Sequence, residues 1–173
     1  MHSVRELLSR PEYLHVLVNP VLTHVLPFAV LGLLLALIGR SPGGTKIALV
    51  LVFLSAGAVW PALHFGHEGF DRVRSMADDT GGDWLLIHRY RAEKSAFIFY
   101  ATAGAALVTL LLSVKSKKGL VPLSWITLIV SLFACAVAIR VATPAGKIRH
   151  REFRQAEPPA DELQAARKDA GED

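Results

Sequence analysis

Seven histidines are the side chains of this 173-residue chain best suited to chemistry: His2, His15, His24, His64, His67, His88 and His150. Glu68 and Asp71 follow two of them, and positions 64, 67, 68 and 71 share one face of a helix. Imidazoles hold two kinds of group. A pair from facing helices supplies the axial ligands of a b-type haem, which set its potential. Three or four ligands converging at about 2.0–2.2 Å hold a bare transition-metal ion. For haem, the candidates are His24 with His88 or His64. For a metal they are His64, His67 and Glu68, with His150 as a further ligand. His-x-x-His-Glu is not the zincin order His-Glu-x-x-His, and two ligands three residues apart do not close a site. Hydrogen-bonded histidines with no cofactor are the third reading, and all three stay open.

Other chemistries lack their residues. The single cysteine, Cys135, forms no internal disulfide and reads as a small core residue. Without Cys-x-x-Cys-His there is no covalent c-type haem and no thiolate cage. Glu12-x-x-His15 is half of a di-iron pattern whose second half is missing. There is no Gly-x-Ser-x-Gly, no Walker loop and no dinucleotide fingerprint, so the chain does not read as an enzyme on its own. A formal charge of +4, spread along the chain with no motif, argues against nucleic acid.

The elements that must position the histidines are four apolar runs, Val18–Leu37, Ile47–Leu63, Ser95–Val114 and Leu120–Ala142, in a chain 52% hydrophobic. About 20 helical residues cross a hydrocarbon core of ~30 Å, and lipid leaves no partner for unpaired backbone, so the runs must be helices. The fold class is all-α: an integral membrane four-helix bundle with a short interfacial N-terminal helix. Residues 1–154 form the transmembrane domain, and 155–173, with Pro158 and Pro159, a polar tail that is disordered or a frayed helix. The first run reads as a retained anchor, because its leader carries Glu6 and Glu12 and its end lacks Ala-x-Ala.

Local signals refine this. Ser3 and Glu6 fit a capping box, and Asn19-Pro20 reads as a helix start. Pro27 should kink the first helix at the Thr23 carbonyl, and Trp60-Pro61 should bend the second helix. Trp60, Trp84 and Trp125 lie near run ends, as interfacial tryptophans do. Short turns are expected at Gly39–Thr45 and Lys115–Gly119, and a long connection with a loop around 78–83 at His64–Lys94. The basic run 147–154 either meets anionic headgroups or caps the last helix.

Four crossings put both termini and the long connection on one side, with all seven histidines. If histidines merely avoid lipid, that side's larger share of chain (roughly 82 residues against roughly 14) gathers all seven about one time in three. Depth says more. His24 lies four residues past Pro20, about 6 Å inside, where an ionisable group marks function. The short turns carry Arg40, Lys46, Lys115, Lys117 and Lys118 and no acid, which places them in the cytoplasm and the histidine side outside.

The chain also resembles bacterial multi-pass membrane proteins of the domain of unknown function 2231 type. The matching stretches are Asn19-Pro20 with His24 and Pro27, Gly66-His67-Glu68-Gly69, His88-Arg89, and the closing Ala145-Gly146-Lys147-Ile148-Arg149-His150-Arg151-Glu152. Asn19 stands where that family has an early histidine, and Ala145 where it has a glycine. The resemblance implies a four-helix unit in a bacterial plasma membrane, with His24, His88 and residues 146–152 in one shared site. It implies no reaction.

The lead expectation is therefore a membrane subunit binding haem b, or a transition-metal ion, in electron transfer. Its partners are the lipid bilayer and a redox partner. The alternative is a non-catalytic accessory subunit of a larger membrane complex, with no cofactor. A proton or ion pathway is disfavoured, because no ionisable residue occupies the middle of any run.

Overall fold

The structure is a computed structural model that describes residues 4–115 and 117–172, and the side chains of all of these but 4, 5 and 114–119. His2, the Ser3 cap and Ser116 of the expected second turn lie outside the described residues. The helices are α1 (Val4–Leu7), α2 (Pro11–Pro20), α3 (Leu26–Ile38), α4 (Pro42–Gly57), α5 (Val59–Ser75), α6 (Asp79–Lys115), α7 (Lys117–Arg149) and α8 (Ala160–Ala170), with a π turn at Val21–Val25 and a 3-10 turn at Arg151–Phe153. There is no strand among the described residues. Four stretches are long and apolar enough to cross a membrane: Pro11–Ile38, Pro42–Ser75, Asp79–Ser113 and Leu120–Arg149. The chain is an all-α helical membrane protein with a short N-terminal helix.

Several boundaries differ from the sequence expectation. Asn19-Pro20 does not start a helix. Pro11 takes that place, and the chain stays helical through Pro20 into the π turn. Pro27 explains the π turn. Its nitrogen cannot donate to Thr23, and the helix takes in an extra residue, with Leu26 N–H reaching back five positions to the Val21 carbonyl. The first turn is only Gly39-Arg40-Ser41. Ser41 caps α4 by accepting from Gly44 N–H at 3.2 Å, and Pro42 occupies the first helical position. The bend expected at Trp60-Pro61 appears as the break at Ala58 between α4 and α5. The loop expected around 78–83 shrinks to three residues, because Asp78 accepts from Gly81 N–H at 2.8 Å and caps α6.

The chain divides into two compact units. The first comprises Val18–Pro61 and Ala96–Ala138; the second comprises Met1–Leu17, Ala62–Ser95 and Ile139–Asp173. In the first, buried residues recur three and four apart: Leu26, Ala29, Val30 and Leu33 on α3, then Thr102, Ala106 and Thr109 on α6, and Ser124, Thr127, Ser131 and Ala134 on α7. Alanine, serine and threonine share this interior with leucine and valine, while Phe28, Ile47, Phe97, Ile129 and Phe133 are exposed. A large apolar outer face with small and hydroxylated residues between helices is the arrangement expected when the outer solvent is lipid. Each buried hydroxyl is satisfied by its own helix, as where Thr102 donates to Ile98 O at 2.8 Å and Ser131 to Thr127 O at 2.7 Å.

The second unit has a conventional core of Phe70, Trp84, Leu85, Leu86, Ile87, Ile148 and Ala166. Trp84, expected at an interface, is buried here, whereas Trp60 and Trp125 are exposed. Residues 160–170 of the tail are a helix, not a disordered or frayed segment. Acids open α8, Arg167 and Lys168 close it, and Gly171 follows in the left-handed conformation. It is bound through Ala166, Leu163 and Ala170 on the core and through ion pairs such as Lys94–Asp169 at 2.6 Å and Arg167–Asp83 at 2.8 Å.

Candidate histidine site

Within the second unit, the ring beside His88 is that of His15, with centroids 6.2 Å apart and planes 79° to one another. His15 sits on α2, one turn past its opening proline, and His88 is buried on α6. Each ring makes one hydrogen bond through Nδ1: His15 to Ala62 O and His88 to Val141 O, both at 2.8 Å. A carbonyl oxygen only accepts, so both Nδ1 atoms carry the proton. A neutral ring then keeps its lone pair on Nε2. Neither Nε2 makes a hydrogen bond among the described residues. Fixing Nδ1–H on a carbonyl is the outer-shell arrangement that orients a ligating imidazole.

A proline shapes the stretch of α7 beside His88. Pro144 in α7 has no N–H, so the Arg140 carbonyl four residues earlier loses its helical donor. Arg91 fills that vacancy, donating from its guanidinium at 3.0 Å. The next carbonyl, Val141, receives His88. Glu162 of α8 accepts from both Arg91 and Arg140, each at 2.8 Å. Burial works against its charge, but these hydrogen bonds outweigh it and hold the carboxyl below its ordinary range.

The remaining candidates are distributed differently. His24 belongs to the first unit, exposed in the π turn, with Nδ1 2.8 Å from Thr23 Oγ1. His64, His67 and His150 belong to the second unit, each beside its own carboxylate: Glu68 at 3.5 Å, Glu93 at 2.6 Å and Glu152 at 2.9 Å. The metal set expected from His64, His67, Glu68 and His150 does not assemble. Among the described residues no three His, Cys, Asp or Glu side chains gather as ligands. On an exposed face each imidazole is satisfied by the nearest carboxylate, and spacing along one helix says nothing about a third ligand from elsewhere.

Sequence reasoning passed over His15. Its signals were weak: Glu12-x-x-His15 opening a helix, and two glycines three apart, Gly66 and Gly69, on the helix it meets. No family model, no curated protein and no solved structure matches the chain.

Proposed function

We propose that this chain is a multi-pass protein of a bacterial plasma membrane that binds b-type haem between His15 and His88 and passes electrons to or from a redox partner. One observation carries the reading: two imidazoles from different helices, each with Nδ1–H committed to a backbone carbonyl and no hydrogen bond at Nε2 among the described residues, have centroids 6.2 Å apart. Two rings on opposite sides of one ion, at about 2.0–2.1 Å per bond, would have centroids about 6–6.5 Å apart. Two protein ligands suit haem better than a bare ion, because the porphyrin brings the other four nitrogens. The group would supply one-electron chemistry, its potential set by the two imidazoles. His24 and His64 are not part of this pair.

The test is a reduced-minus-oxidised spectrum of the protein purified in mild detergent. A Soret band and a sharp α-band are expected, and His15→Ala or His88→Ala should abolish the low-spin signal. Absence of both bands, with iron at background, overturns the reading. The basic short turns favour termini outside; alkaline phosphatase fused after Asp173 should then be active, and a cytoplasmic reporter there silent.

A further inference from the structure

Neither Gly66 nor Gly69 can ligate anything, yet both stand where α2 meets α5. A Cβ at Gly69 would lie 2.9 Å from Glu12 N and from Glu12 Cα. A Cβ at Gly66 would lie 3.1 Å from His15 Nδ1 and 3.2 Å from Cε1. The two pairs are in antiparallel register, 12 against 69 and 15 against 66. Ala62, whose carbonyl receives the His15 proton, is one turn further along the same face of α5. Arg72 continues the register at the other end with a 2.8 Å ion pair to Glu12.

We infer that Gly66 and Gly69 are positioning residues, a bare strip on α5 that seats α2 closely enough for the His15 imidazole to be locked on Ala62 O and held beside His88. The two act differently. At 69 the obstacle is backbone, which cannot swing aside, so a methyl there must lift α2 one turn before His15. At 66 the obstacle is the ring itself, at the nitrogen that donates. A methyl there tilts the ring off its acceptor while α2 stays in place. The inference rests on the haem reading for its spectral consequence but not for its geometry, and the two can fail separately.

The experiment uses the full chain in detergent, labelled with 15N-histidine, as wild type, Gly66→Ala, Gly69→Ala, and Gly82→Ala as a control with nothing within 4 Å of the added carbon. Long-range nitrogen spectra of haem-free protein report the tautomer. Wild type and Gly82→Ala should show His15 and His88 as single Nδ1–H tautomers. Gly69→Ala and Gly66→Ala should convert His15 alone to a tautomer mixture. With haem added, both variants should retain it about tenfold less tightly, the usual scale for loss of an orienting partner, and gain high-spin character. A locked His15 in both glycine variants overturns the inference, whether or not haem binds. If Gly69→Ala does not fold, Gly66→Ala decides, since its methyl meets only a side chain. Wild type with no haem band and a His15 unlocked by either substitution would sink the haem reading and keep this one.

Discussion

Asp78 shows how much one side chain can organise. It caps α6 through Gly81 N–H and accepts Arg154 and Arg151 at 2.9 and 2.8 Å, tying the closing segment to the start of the third crossing. The Arg154 hydrogen bond, then the Gly81 N–H, hold its carboxyl well below the ordinary value of 3.8. A depressed carboxylate stabilises the fold above its unfolded pKa and loses that contribution as pH falls through the folded value. Asp78→Asn keeps the cap but not the charge. The variant should melt below wild type at pH 7, and the gap in Tm should close as pH is lowered below 4; a gap unchanged with pH would refute the charge argument. The site was only partly legible at this scale. His88 stood out by lying just before an apolar run. His15 did not, because what makes it notable is a carbonyl 47 residues away. His24 looked deepest, but depth along a run does not say which neighbours a ring meets.

Elements were legible where backbone chemistry is local. Pro61 marks the bend of its helix close to where it stands, whereas Pro42 and Asp78, expected in a turn and a loop, open α4 and cap α6 instead. Pro20 misled, because the chain stays helical through it, while Pro27 distorts the helix around the Thr23 carbonyl as a π turn. The last helix went unread for a different reason. Its apolar stripe is Leu163, Ala166 and Ala170, too small to register in a charged segment, although its acids, bases and glycine obey the usual order. How α8 is held follows from the same residues. Apart from the more buried Arg91–Glu162 pair, its ion pairs, including the bidentate pairing of Arg74 with Glu172, are partly exposed, and such pairs are weak and screened by salt. Ala166 is buried. Salt at about 1 M should therefore speed trypsin cleavage at Arg167 and Lys168 only slightly, whereas Ala166→Asp should speed it strongly in low salt. The opposite order would mean that charge, not burial, seats the helix.

For the whole molecule, the apolar outer face of the crossings gives a prediction whose sign is diagnostic. In a protein that folds in water, replacing an exposed phenylalanine by aspartate is neutral or helps solubility. Phe133 is 60% exposed near the middle of the last crossing, and on the neighbouring turn Ser131 and Ala134 are fully buried. If lipid is the outer solvent, Phe133→Asp should cost about 3–4 kcal/mol of insertion free energy, the difference between phenylalanine and aspartate at a helix centre. Membrane-fraction yield should collapse. The interior should respond differently. Thr109 and Thr127 touch at 3.0 Å, and each also has a carbonyl of its own helix at 2.8 and 2.9 Å. Replacing both by valine should therefore cost only about 0.6–1.7 kcal/mol, the range for polar contacts between membrane helices, and leave insertion unchanged. Equal yields for Phe133→Asp and wild type, with the variant in the soluble fraction, would remove the membrane from the account. A steep loss from the threonine pair alone would instead make the hydroxyl seam, not the lipid-facing shell, the feature on which the bundle depends.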